Sequence, residues 1–205
     1  MYRVYGDAIS GNCYKVKLIM NELALPFVWV DVDILAGDTR RPEFLEKNPN
    51  GRVPVLEIEG QGCLAESNAI LAYLGEGTPL VPRDAYQRAL VWQWLFFEQY
   101  SHEPYIATSR FIVRYLGRPA EREEELRVRS APGYRALDVM ERRLEIGEFI
   151  VGDHFTLADI ALFAYTHVAE EGGFSLARYP AIRAWIDRVA ARPAFLPMYE
   201  TPGVS

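Results

Sequence analysis

The stretch Asn48-Pro49-Asn50-Gly51-Arg52-Val53-Pro54-Val55-Leu56 constrains this chain more than any other. A turn of Asn-Pro-Asn-Gly runs into Val-Pro-Val-Leu, so a proline interrupts what otherwise reads as a buried strand. Proline cannot donate to a β-ladder and is expelled from central strands. Here it predicts a cis Val53-Pro54 bond that turns the backbone sharply and leaves the peptide groups of Val53 free. Free groups of that kind pair with an extended peptide as a short added strand. Glu66-Ser67 then opens an apolar helix. Its N–H groups and positive dipole end favour an anion, and the Glu66 carboxylate offers an acceptor for an ammonium. Strand edge, anion site and cation acceptor together describe a pocket for a small zwitterionic peptide.

Around this motif the first part of the chain mixes strand and helix signals. Tyr2 to Tyr5 reads as a strand, Gly11 to Leu25 as a helix with Val16, Ile19, Met20 and Leu23 on one face, and Phe27 to Val32 as a second strand. Pro42 to Lys47 reads as a short helix with its proline in the first turn. Val55 to Ile58 and Cys63 to Ala65 form a hairpin across Glu59-Gly60-Gln61-Gly62, and Ser67 to Leu74 is a helix. The order β-α-β-α-β-β-α is that of a thioredoxin-like domain, expected over residues 1–76. Gly77-Thr78-Pro79-Leu80-Val81-Pro82 punctuates the chain within a linker expected at 77–85. Residues 86–205 then read as all-helical: one or two long helices from Tyr86 to about Leu116, with Pro104 expected to kink or break them. Another helix starts in Glu121 to Arg129 and runs through Met140 and Leu144, and two or three more follow. The fold class is α+β, a thioredoxin-like α/β domain followed by a helical one.

Several functions are excluded by composition. The 205 residues carry a formal charge of -6 with both signs interspersed, so no basic track exists to follow a nucleic-acid backbone. No apolar run approaches a membrane span, and the N-terminus lacks the layout of a signal peptide. Two cysteines, Cys13 and Cys63, are too few for a disulfide scaffold, which predicts a reduced, cytoplasmic protein. His102, His154 and His167 lack metal-ligand spacing, and no zinc, P-loop or dinucleotide fingerprint occurs, so no metal is expected.

Ser10-Gly11-Asn12-Cys13 lies at the first strand-to-helix turn, where a helix N-terminus stabilises a thiolate. Ser10 occupies the nucleophile place of a Cys-x-x-Cys redox pair. It cannot form a mixed disulfide, but its hydroxyl can donate to a ligand's thiolate and lower that thiol's pKa. It serves equally well as a plain helix cap. Cys13 reads as a small buried hydrophobe and Tyr5 as a strand aromatic, each with a secondary reading as the activating group. Glu66-Ser67 alone is a cap with an acidic first turn; the Val53-Pro54 break gives it a functional reading. Arg40, Arg41 and Arg52 are candidates to pair with a ligand carboxylate. Phe155-Thr156-Leu157-Ala158-Asp159-Ile160 reads as a capping box with a hydrophobic staple, a folding signal. The aromatic run from Trp92 to Tyr105 goes too far round a helix to be core alone, and Phe97, Tyr100 and Tyr105 are candidates to line a pocket or a subunit contact.

In this order, Asn48-Pro49-x-Gly51-x-Val53-Pro54-x-Leu56, Glu66-Ser67, Val151-Gly152-Asp153-x-Phe155-Thr156-Leu157-Ala158-Asp159, Tyr179-Pro180-x-Ile182-x-x-Trp185 and Arg192-Pro193-x-Phe195 resemble the cytosolic glutathione S-transferases over nearly the whole chain. The resemblance implies that glutathione is the substrate, with no further cofactor, and that the first domain binds it. Val53 would pair with the cysteinyl unit beside Pro54, Glu66 and Ser67 would hold the γ-glutamyl end, and Arg40 or Arg52 the glycyl carboxylate. The helical domain would supply a site for a hydrophobic electrophile, with Phe97, Tyr100 and Tyr105 as its tentative lining, and the protein would be a homodimer. Ser10 followed by Val16 is similar to the plant-type serine enzymes, and makes Ser10 the catalytic residue. Ser10 with Asn12 is also similar to a bacterial class with disulfide-bond reductase activity, which adds Asn12 to the glutathione-binding set. Reductase, peroxidase or isomerase chemistry at the same site, or a non-catalytic binding module on this fold, are the alternatives.

Overall fold

The computed structural model describes residues 1–200, which fall into two units, one spanning 1–76 together with the segment that begins at Arg192, the other 77–191.

The first unit is built on a four-stranded sheet of order β2-β1-β3-β4, from β1 (Tyr2–Gly6), β2 (Phe27–Asp31), β3 (Val55–Ile58) and β4 (Gly62–Ala65). β1 runs parallel to β2, which requires a crossover; α1 (Gly11–Glu22) supplies it. β1 pairs antiparallel with β3, setting Tyr5 opposite Val55, and the β3–β4 hairpin sets Val55 opposite Ala65. α2 (Pro42–Leu45) precedes β3, and α3 (Ser67–Gly75) follows β4 and packs on α1. This is the thioredoxin-like order expected from the sequence. By register, the C-terminal end of β1, the start of β3 and the end of β4 lie at one end of the sheet. Ser10, Val53-Pro54 and Glu66-Ser67 are the residues that continue the chain there.

Helix α1 stops at Glu22 rather than at Leu25. Ala24 takes a left-handed conformation (φ 49°), its N–H reaches Asn21 O and the N–H of Leu25 reaches Met20 O. These two bonds form a Schellman stop, and Pro26 then forbids continuation. The segment from Arg192, assigned by sequence to the helical domain, belongs to the first unit. Tyr14 Oη donates to Leu196 O (2.6 Å), Asn21 Nδ2 donates to Ala194 O (2.7 Å), and Arg192 pairs with Glu22.

In the second unit, residues 77–84 are not a free linker. Leu80 and Val81 are buried, and Leu80 O accepts from the N–H of Leu157. α4 (Ala85–Phe97) and α5 (Glu103–Arg110) are joined by a π-helical turn over Glu98–His102, and a second π turn covers Phe111–Tyr115. Pro104, expected to kink or break this stretch, sits in the first turn of α5, where its missing N–H costs little. The wide turn before it lets helical chain continue. α6 (Glu123–Leu144), α7 (Leu157–Thr166) and α8 (Pro180–Ala190) complete the unit.

Buried α7 is its centre. The Thr156/Asp159 capping box is present, and Asp159 does more than cap. Its carboxylate accepts from Thr156 N (2.9 Å), Ile150 N (2.9 Å) and Trp185 Nε1 of α8 (2.9 Å), joining three segments at one fully buried point.

Candidate active site

The turn before Val53 is braced by Asn48. Its Nδ2 donates to Arg52 O (2.8 Å) and its Oδ1 accepts from Asn50 N (3.1 Å), while the N–H of Gly51 donates to Asn48 O (2.8 Å). Gly51 has φ +60°, and a Cβ there would lie 2.9 Å from the backbone oxygen of Thr39, so the turn favours glycine beside Arg40. The Val53-Pro54 bond is cis. The ladder begins only at Val55, and neither peptide group of Val53 takes a backbone hydrogen bond among the described residues. Its side chain packs against Val32, Phe44 and Val55.

Continuing the β3–β4 register past the Val55–Ala65 pair brings Pro54 alongside Glu66. Glu66 holds φ 67°, ψ 111°, a region that costs a residue with a Cβ about 1–3 kcal/mol and that clusters at ligand sites. Its side chain is exposed and makes no cap bond, while its carbonyl accepts from the N–H of Ile70 and starts α3. Ser67 is buried, and its hydroxyl donates to Asn12 Oδ1 of α1 (3.0 Å) and accepts from Lys15 Nζ (3.2 Å). The structure therefore brings Asn12, Glu66 and Ser67 together where α1 and α3 meet.

Ser10 caps α1: its Oγ accepts from Cys13 N at 3.4 Å. A hydroxyl that accepts from the backbone still has its own proton to give, so capping and donation to a sulfur are compatible. Cys13 points into the core. It is fully buried, its Sγ lies 3.4 Å from the N–H of Asp7, and burial pushes its thiol up to about 12. Tyr5 turns away from this end of the sheet. Its hydroxyl donates to Glu57 Oε2 (2.5 Å), which also accepts from Lys47 (3.2 Å), and Glu57 lies opposite Arg3, further back along β1. Partial burial and the Glu57 carboxylate raise the phenol, while that phenol bond draws Glu57 below the usual carboxylate range.

Arg40 rests against the Gly51 turn, with Nη1 3.4 Å from Asn50 O, whereas Arg41 is tied to Asp38 at 2.8 Å. Arg52 is exposed at the same turn. In the helical unit Phe97, Tyr100 and Tyr105 line one cleft of 230 Å³ with Pro132, Arg135 and Val139. Among the described residues no group of His, Cys, Asp or Glu could hold a metal ion, and no helix is long and apolar enough to cross a membrane.

Two residues of this end of the sheet escape sequence reasoning. Asn48 was visible only as a turn former, although its side chain sets the turn. Lys15 lies in a helix read for its apolar face, and the one signal for it is a lysine three residues after Asn12 and so on the same side.

Residues 4–82 match the family model described as Glutathione S-transferase, N-terminal domain, and residues 95–193 match that of Glutathione S-transferase, C-terminal domain. The chain is 34% identical over 203 residues to Glutathione S-transferase 3 of Zea mays, covering 94% of this chain and 90% of that protein. It is 29% identical to Disulfide-bond oxidoreductase YfcG of Escherichia coli (strain K12), covering 91% of this chain and 89% of that one. Among solved structures, the crystal structure of a glutathione S-transferase from Pseudomonas fluorescens Pf-5 superimposes with a TM-score of 0.95 at 57% identity, covering 97% of this chain and 99% of that one.

Proposed function

Because the chain belongs to the glutathione S-transferase family, we propose that it binds glutathione at the sheet end where Val53, Glu66 and Ser67 meet, and transfers the thiolate to a hydrophobic electrophile. The observation that carries this reading is the pairing of a strand edge lacking backbone partners, at Val53, with the Glu66–Ser67 start of α3 beside it in register. The cysteinyl unit adds to Val53 as a short strand next to Pro54. Glu66 receives the γ-glutamyl ammonium, Ser67 and Asn12 take its carboxylate end, and Arg40 or Arg52 meets the glycyl carboxylate. Ser10 donates to the sulfur at the positive end of α1, which lowers the thiol pKa and raises the thiolate fraction at neutral pH. Phe97, Tyr100 and Tyr105 are the aromatic surface for the electrophile. Glutathione is consumed as substrate, and the reading needs no resident cofactor.

The test is calorimetry with glutathione followed by conjugation of an aryl halide. Glu66→Ala and Ser67→Ala should each weaken glutathione roughly tenfold or more, the worth of a hydrogen bond to a charged group. Unchanged affinity in both variants refutes the γ-glutamyl site, and binding without turnover of any electrophile favours a non-catalytic module. A second reading, glutathione-dependent disulfide reduction at the same site, is favoured by the similarity to a protein named a disulfide-bond oxidoreductase. Turnover of a small disulfide with glutathione, in the absence of aryl-halide conjugation, selects it.

A further inference from the structure

The cleft lined by Phe97, Tyr100 and Tyr105 also has a polar side, made of Arg135 and the hydroxyls of Tyr100, Ser101 and Tyr105. Each of these side chains can donate a hydrogen bond, and no carboxylate lines the cleft. Arg135 stands on α6. On the same helix Arg127 pairs with Glu124 (2.5 Å) and Arg129 with Glu125 (2.9 Å), as arginines with an acid one turn away commonly do. Arg135 has Ala131, Pro132 and Val139 at the corresponding positions. Asp138, three residues on, accepts instead from Tyr179 Oη (2.8 Å) and lies 3.4 Å from Arg178 Nη2. Among the described residues neither Arg135 nor the hydroxyls of Tyr100, Ser101 and Tyr105 have a hydrogen-bond or ion-pair partner. Water satisfies an exposed guanidinium, so its charge alone assigns nothing; its place does. The apolar wall of Phe97, Pro132 and Val139 accepts a ring, and Phe97 is itself held edge-on to Trp94 at 5.0 Å. The guanidinium fork beside that wall matches a carboxylate through two parallel bonds. A volume of 230 Å³ is below the roughly 300–1,000 Å³ of sites for drug-sized molecules, which fits one substituted ring.

We infer that the cleft selects electrophiles carrying a carboxylate on a single aromatic ring, with Arg135 as the residue that determines this specificity. The inference rests on the transferase reading above and names the substrate class of its electrophile site. With an aryl halide, the glutathione sulfur bonds to the ring carbon that bears the halogen. The carbon–halogen bond breaks, halide leaves with the bonding pair, and the thiol proton passes to solvent. The carboxylate is unchanged and serves as a handle. The probes are chlorodinitrobenzoate and its uncharged amide, chlorodinitrobenzamide, with the same substitution pattern. Comparing the acid-to-amide ratio of kcat/KM between variants cancels the intrinsic reactivity of the two rings. That ratio should fall about fivefold in Arg135→Met, the upper worth of an exposed ion pair, and further in Arg135→Glu. Arg135→Lys keeps the charge without the fork and should retain part of the ratio. The fall should appear mainly as a raised KM for the acid, because the handle is remote from the reacting carbon, and the wild-type ratio should shrink in high salt. A ratio unmoved in both Arg135→Met and Arg135→Glu overturns the inference, including where both substrates slow together, which marks a packing role. Wild-type turnover of the amide with such an unmoved ratio overturns the inference alone. Turnover of neither compound overturns the transferase reading with it.

Discussion

Ser10→Ala and Ser10→Gly separate the observed cap of one hydroxyl from its proposed bond to a ligand thiolate. Ser10 Oγ accepts from Cys13 N at 3.4 Å and has its own proton for a ligand sulfur. Alanine removes both interactions. Losing the cap costs about 0.5–2 kcal/mol of stability, but replacing a capping serine by glycine costs only a few tenths. The bond to the thiolate disappears in both variants. At roughly 1.5–3 kcal/mol for a hydrogen bond to a charged group, and 1.36 kcal/mol for each pH unit, the bound thiol should titrate about one to two units higher. Below that pKa the thiolate fraction, and with it the conjugation rate, should fall roughly tenfold to a hundredfold; at high pH the rate should recover. Glutathione conjugation of an aryl halide across a pH series reads the shift, and urea unfolding reads the cap. Both variants should share the shifted profile, and Ser10→Ala alone should show the larger stability loss. Cys13→Ala and Tyr5→Phe should leave the profile near normal, since Cys13 is in the core and the Tyr5 hydroxyl is bound to Glu57. A profile unmoved in both Ser10 variants refutes the reasoning. So does a collapse in Cys13→Ala with the Ser10 variants near normal, which would reverse the assignment.

Three further outcomes are expected. Asp159→Ala strips an acceptor from three buried donors, Ile150 N, Thr156 N and Trp185 Nε1; at about 1–3 kcal/mol each, urea denaturation should show a loss of at least roughly 3 kcal/mol, and a loss under about 1 kcal/mol would contradict the hub. His167, stacked on Phe163, is held by burial at about 4, below the ordinary 6.5, so its contribution is complete above pH 6.5 and is lost as pH falls toward 4. The unfolded imidazole takes up a proton that the folded one refuses; stability should decline by up to roughly 3 kcal/mol over that window, and His167→Gln should flatten the decline. Phe96 is 72% exposed, so a homodimer formed through the helix that carries it and α3 should sediment at twice 23.4 kDa at micromolar concentration, and a lone 23.4 kDa species would refute it.

Local chemistry made most of the fold legible. The β3–β4 hairpin, the cis Val53-Pro54 bond and the Thr156/Asp159 box each follow from residues within a few positions of one another. What the sequence concealed is set by contacts distant along the chain or by unusual backbone. Ala24 ends α1 from a left-handed conformation usually left to glycine, and Pro104 lies in a first turn because a π turn precedes it. The return of the chain from Arg192 to α1 depends on Tyr14 and Asn21, which no periodicity links to Leu196 and Ala194. In the candidate site, Ser67 was picked out by its place at a helix start beside the Val53-Pro54 break and Asn12 by the family resemblance, and the structure joins them through one hydrogen bond. The burial of Lys15 was not readable, because a lysine among apolar helix positions gives the same pattern whether it snorkels to solvent or is enclosed.

The start of α1 faces a choice between two sulfurs, and desolvation decides it. Helix dipole, Ser10 hydroxyl and backbone N–H all favour a thiolate there, and each of them acts on Cys13 as well as on an incoming ligand. For Cys13 they are outweighed: burial takes its thiol from the ordinary 9.0 to about 12 even though Ser10 and the Asp7 N–H pull the other way. A shift of that size is roughly 4 kcal/mol against the charged form, more than one hydrogen bond returns. Cys13 is therefore a neutral thiol at pH 7, unfit as a nucleophile. A ligand thiol held at Ser10 receives the same favourable field without full burial, so the balance tips toward ionisation. On this account, chemistry at the turn belongs to the sulfur that the substrate brings. Opening space around Cys13, by Trp29→Ala for example, whose ring lies with the Cys13 sulfur over Gly6, should lower its pKa and make it alkylate faster; an unchanged alkylation rate at pH 8 in a folded variant would show that something other than burial keeps it inert.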